Sequence, residues 1–151
     1  MIEEKLQTLC VEMIKSIEHA VALTDSYINS FSKEDFYTFS DSNSRLQHYK
    51  NAYSDFVRTL ACPLNDLEAQ NSQISSLLIL ADSEMKIEII SYLQDIFEEY
   101  LRFEKSLSEY GSNVKIIFAR ADASASALVE QTQKFKFSLL SLLEKTKKGL
   151  R

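Results

Sequence analysis

The chain has 151 residues, 45% of them hydrophobic and 26% charged, with a net charge of −5. That is enough apolar material for one packed domain, and seven Tyr and nine Phe are too many for a disordered segment. Only two glycines and one proline occur, where average usage would supply roughly ten and roughly seven, so folds built on tight turns, glycine-rich phosphate loops and nucleophile elbows are excluded.

A chain almost without breakers reads as a few long helices with short connections. The expectation is an all-α fold: a single domain over 1–151, an elongated antiparallel bundle or coiled-coil-like set of about four helical segments. The first segment spans about 3–30. Leu6, Leu9, Met13, Ile17, Ala20, Thr24, Tyr27 or Ile28, and Phe31 recur at steps of three and four and so share one face. Ser32-Lys33-Glu34-Asp35 has the form of a capping box, and Phe31 and Phe36 flank it as a hydrophobic staple would. A second helix over 33–61 follows, with Phe36, Phe39, Asn43, Leu46, Tyr49 or Lys50, Tyr53, Phe56 or Val57, and Leu60 on its stripe, which runs on through Leu64 and Leu67. The polar run Ser40–Ser44 weakens its first turns. Pro63 removes one amide donor and disfavours helical angles at Cys62, which predicts a kink or break at 61–64.

The third segment spans 64–110, with a break or recap near Asp82-Ser83. Its second half carries the clearest stripe: Met85, Ile89, Tyr92 or Leu93, Ile96, Tyr100, Phe103, Leu107 and Tyr110. Gly111 is placed to cap its C-terminus, and Ser112 to open a last helix over 112–147. That helix reads Val114, Ile117, Ala121, Ala125, Leu128, Thr132, Phe135, Leu139 and Leu142. Ala121, Ala123, Ala125 and Ala127 make its middle narrow enough for close helix approach.

No catalytic, cofactor or metal site emerges. His19 and His48 lie on different helices and no HExxH, ExxH or CxxC occurs, so neither histidine reads as a ligand. Cys10 and Cys62 read as reduced thiols of an intracellular protein. Glu98, Glu99, Glu104 and Glu109 read as the solvated face opposite Ile96, Tyr100, Phe103 and Leu107. Phe31, Phe36, Tyr37 and Phe39 read as aromatics closing one end of the bundle. No apolar run reaches about 18 residues, the first residues lack a signal-peptide pattern and the last lack a lipidation box, so the expected location is cytoplasmic, with peripheral membrane attachment open.

The charge is divided. Residues 1–111 carry nine Lys/Arg against nineteen Asp/Glu, a net of −10, and residues 112–151 carry eight against three, a net of +5. Lys134, Lys136, Lys145, Lys147, Lys148 and Arg151, flanking Phe135, Phe137, Leu139 and Leu142, are the candidate contacts for an anionic surface. The same residues also suit packing beside acidic helices of the chain itself. Nucleic acid is not an expected partner, because the aromatic-rich region around 31–39 is acidic.

Two family resemblances add to this reading. Ser91-Tyr92-Leu93-Gln94-Asp95-Ile96-Phe97-Glu98-Glu99-Tyr100-Leu101-Arg102-Phe103-Glu104-Lys105 resembles the stretch opening the second long helix of the BAR domain, sorting-nexin type, and Ala121–Leu128 follows at a similar distance. Leu46, Tyr49, Phe56-Val57 and Pro63-Leu64 resemble the end of that family's first helix. The chain is shorter than a full domain of the family, and only Lys115 and Arg120 stand where the family has an Arg-rich run. The resemblance implies a crescent-shaped antiparallel homodimer on curved anionic membranes, in membrane trafficking or endosomal sorting. The second resemblance is to the small helical chaperones of flagellar and type III export. It rests on chain length, on Ser32–Phe36 followed by Leu46, and on Asn113-Val114-Lys115-Ile116-Ile117, which is similar to the Asn-rich start of their last helix. It implies a non-catalytic adaptor that binds an amphipathic helix of its substrate.

Overall fold

A computed structural model of the chain describes residues 2–32, 42–79, 86–120 and 124–148. It is all-α: α1 is Ile2–Ser32, α2 Ser42–Ile79, α3 Ile87–Phe118 and α4 Ala125–Lys148. At about 1.5 Å per residue the helices are roughly 36 to 57 Å long, so the bundle is elongated. Each helix packs against two others, in the ring α1–α2–α3–α4–α1. Residue pairing makes neighbours antiparallel. Phe31 meets Tyr49 while Tyr27 meets Phe56, and Glu99 meets Ser141 while Tyr110 meets Thr132.

The stripes read from the sequence meet in one core. Met13 and Ile17 of α1, Leu67 and Ile74 of α2, Leu93 and Ile96 of α3, and Leu128, Leu139 and Leu142 of α4 are all buried. Burying such a side chain stabilises by about 1.5–3 kcal/mol. Three threonines sit on these stripes without loss, because each donates to the carbonyl four residues back: Thr24 to Ala20 (2.7 Å), Thr132 to Leu128 (2.7 Å) and Thr146 to Leu142 (2.8 Å).

The helix boundaries differ from those expected at three places. Pro63 neither ends nor divides its helix; α2 runs through it to Ile79. The proline ring is buried, and buried Leu60 and Leu67 on either side outweigh one lost hydrogen bond. Gly111 does not cap α3, and Ser112 does not open a helix. Both lie inside α3, which continues to Phe118 because Val114 and Ile117 extend its buried stripe. The segment Asn113–Ile117, read as the start of the last helix, therefore belongs to α3. The last helix starts at Ala125 instead, capped by Ser124, whose Oγ accepts from the Ala127 amide at 3.2 Å. The capping box, Phe36, Tyr37 and Phe39, the Asp82-Ser83 break and Ala121 lie outside the described residues.

Asn71 of α2 is an exception in the core. It is 8% exposed, and its Oδ1 has no hydrogen-bond partner among the described residues. A buried unsatisfied acceptor costs about 1–3 kcal/mol. Asn71→Leu is therefore expected to stabilise the fold by about 1 kcal/mol, raising the melting temperature by roughly 2–4 °C. Calorimetry showing a lower melting temperature would contradict this account of the site.

Candidate functional site: the α2–α3 groove

The helices are unequal in charge, and their arrangement follows from it. By sequence α1 and α3 each carry a net of −3, α2 is neutral and α4 is +3. The basic helix packs between the two acidic ones on one side of the ring, and the neutral helix on the other.

The six basic candidates consequently do not form one patch. Lys136 reaches across to α1 and pairs with Asp25 at 2.6 Å. Lys134 pairs with Glu130 of its own helix at 3.9 Å. Lys145 is half-buried and its charge acts on Glu99. Lys134 and Lys145 are eleven residues apart, as are Lys136 and Lys147, so each pair shares a helix face three turns apart. Lys147 and Lys148 are exposed on the last turn of α4. Arg151 lies outside the described residues.

Of the four carboxylates read as a solvated face, Glu98, Glu104 and Glu109 are exposed but Glu99 is not. Glu99 is 7% exposed. Its Oε1 accepts from Ser141 Oγ of α4 at 2.6 Å, and its Oε2 from Arg102 at 2.8 Å. Burial alone pushes this carboxyl up. The Ser141 and Arg102 hydrogen bonds, with the charges of Arg102 and Lys145, outweigh it and hold the carboxyl below its ordinary value. This is a lock between α3 and α4. A second lies at Tyr110, whose hydroxyl is 2.8 Å from Thr132 Oγ1. The Thr132 proton goes to the Leu128 carbonyl, so Tyr110 donates.

Other candidates are dispersed. His19 is exposed on α1, and His48 is half-buried on α2 beside the Tyr49 ring. Cys10 is buried, which pushes its thiol up to about 11, and Cys62 is exposed on α2. Among the described residues no group of His, Cys, Asp and Glu has metal-holding geometry, and no helix is long and apolar enough to cross a membrane.

What the structure does bring together is a groove along the α2–α3 seam, where the helices contact each other least. Its volume is about 560 Å³. Tyr53, Val57, Leu60 and Leu64 line the α2 side; Tyr100, Phe103 and Leu107 line the α3 side. The floor is apolar and the rim carries Asn65, Glu68, Glu104 and Ser108. Gly111 sits on the α3 wall, and a Cβ there would meet nothing within 4 Å. At one end the seam is closed by Tyr53, whose ring packs edge-on to Tyr110 and Phe118 at 5.9 and 5.8 Å. From Tyr53 to Glu68 the groove runs along four turns of α2, roughly 22 Å. A second hollow of about 610 Å³ between α1 and α2 is lined mainly by polar side chains, with Leu9 and Leu77 its apolar members.

Sequence reasoning did not find the groove. Tyr53, Leu60, Tyr100, Phe103 and Leu107 are ordinary stripe positions in the sequence, and a gap between two stripes depends on how far apart the helices stand. Compared with known proteins, the chain matches no family model, no curated protein and no solved structure.

Because the folded Glu99 carboxyl titrates below its ordinary value of 4.5, its stabilisation is present above that pH and is lost as pH falls through the folded value. Glu99→Gln is expected to destabilise the protein at neutral pH, and the gap to the parent should narrow as denaturation is repeated from about pH 6 down to about pH 3. A gap independent of pH would contradict the ionised lock.

Proposed function

We propose that this chain is a non-catalytic helical adaptor, of the export-chaperone kind, that holds an amphipathic helix of a partner protein in the α2–α3 groove. The observation that carries the reading is the groove itself: an apolar floor about four turns long, open between the two neighbouring helices that contact each other least. Helix-in-groove recognition uses this combination, with anchors at i, i+3/4 and i+7 entering an apolar channel. The α2–α3 seam is the least closely packed of the four, and its hollow is lined mainly by apolar and aromatic side chains where the α1–α2 hollow is lined mainly by polar ones.

A second reading is a membrane-associated dimer of BAR type acting in trafficking. The observation that favours it is the exposure of Lys147 and Lys148 on the last turn of α4, with Phe137, 65% exposed, on the same helix. The engagement of Lys136 with Asp25 weighs against a dedicated basic face.

The chain has no tryptophan, so Val57→Trp on the groove wall provides a single reporter. Its emission is expected to shift on titration with a synthetic amphipathic peptide of about four helical turns bearing a leucine stripe and equal numbers of Lys and Glu. Adding Gly111→Leu, which fills open space and favours the helix, is expected to abolish the shift with circular dichroism unchanged. A shift that survives Gly111→Leu, or no shift at all, would reject the groove. In parallel, co-sedimentation of the parent chain with phosphatidylserine vesicles, lost in Lys147→Glu/Lys148→Glu, would support the membrane reading instead.

A further inference from the structure

The groove has a chemical polarity that identifies its occupant more closely. The inference rests on the helix-binding reading above. Glu68 of α2 and Glu104 of α3 stand on opposite walls at the same end. The Tyr100 hydroxyl donates a hydrogen bond to the Glu104 carboxylate, and the Glu68 charge acts on the same hydroxyl. Neither is ion-paired with a Lys or Arg among the described residues. The walls that supply them are the neutral α2 and the −3 helix α3, so no basic helix of the chain lies alongside to compensate them. α4 compensates the α1–α4 and α3–α4 seams; the two seams of the neutral α2 have no basic helix beside them. At the opposite end, beyond Tyr53, exposed Lys50 and Lys115 lie on the groove-side rows: Lys50 two turns before Val57 and Lys115 one turn after Gly111.

We infer that the groove takes a cationic amphipathic helix of about four turns, whose apolar stripe lies over Val57, Leu64 and Leu107 and whose Lys or Arg side chains straddle Glu68 and Glu104. The charged pair sits at the rim of an apolar channel, where side chains of an incoming helix flank its buried stripe. Two facing carboxylates there disfavour an acidic occupant by like-charge repulsion and favour a basic one. Gly111 lets the occupant's backbone approach the α3 wall near the Tyr53 end of the groove. A second copy of this chain is a poorer occupant, because each copy presents a concave seam to the other and no described helix stands clear of the bundle to fill it.

The test uses the whole chain and two fluorescein-labelled peptides of identical leucine stripe, one with lysine at every flanking position and one with glutamate there. Anisotropy at low salt is expected to show the lysine peptide binding and the glutamate peptide at least about ten-fold weaker. Glu68→Gln/Glu104→Gln is expected to weaken the lysine peptide about five- to ten-fold and flatten its salt dependence. Glu12→Gln/Glu18→Gln, two exposed carboxylates on α1, should leave it unchanged, which separates the groove from general attraction to an acidic protein. Equal binding of both peptides, blocked by Gly111→Leu, would overturn the charge inference and keep the helix-binding reading. Binding of neither peptide would overturn both. Equal losses from the α1 and groove carboxylate pairs would overturn the assignment to Glu68 and Glu104. A dimer in solution with the groove carboxylates protected from carbodiimide modification would assign the groove to a second copy and overturn the proposal.

Discussion

One aromatic relay ties the four helices together. Tyr27 of α1, Tyr53 of α2, Tyr110 of α3 and Phe135 of α4 follow each other in ring contact, at centroid separations of 6.5, 5.9 and 5.0 Å. Tyr110 is the member on which the others depend. Its ring lies flat on Phe135, its edge meets Tyr53, and its hydroxyl donates to Thr132 in a buried site. Each aromatic contact adds about 0.5–1.5 kcal/mol beyond the area it buries. The relay also decides where α2 and α3 are held together. On one side of Tyr53 the seam is filled by rings; on the other it is the groove.

Charge then decides which helices stand side by side. A +3 helix between two −3 helices forms a ring in which every α4 seam is favourable. The Lys136–Asp25 pair and the Glu99 lock are the places where this general attraction becomes local. Surface ion pairs stabilise little individually, about 0–1 kcal/mol. Their value here is in setting α4 against both acidic helices, which leaves the two seams of the neutral α2, with α1 and with α3, without a cationic helix. In the α2–α3 seam Glu68 and Glu104 have no Lys or Arg ion-pair partner among the described residues.

Much of this was legible in the residues. Leu6, Leu9, Met13 and Ile17, or Leu93, Ile96, Tyr100 and Phe103, announce their helices by spacing alone, and all are buried as expected. The acidic-to-basic change near residue 111 foretold the charge of α4 but not which helices it would touch. Pro63 and Gly111 misled because a breaker acts locally while a stripe sums over many turns, and the stripes were longer. Ser124 was hidden inside an Ala-Ser run with no acidic residue at its third following position. Glu99 carried a usable signal: three residues after Ile96 and four before Phe103, it lies at the edge of the buried stripe, and its charge masked its position. The groove had no sequence signal, since the spacing of Val57, Leu64 and Leu107 is the same whether the facing helix is near or far.

Two exposed apolar surfaces now compete as the working face: the α2–α3 groove around Val57 and the outer face of α4 around Phe137. Site-specific photo-crosslinking separates them most directly. Benzoylphenylalanine introduced in place of Val57 is predicted to label a bound lysine-bearing amphipathic peptide, with none labelled when it replaces Phe137. Labelling from position 137 and none from position 57 would contradict the account.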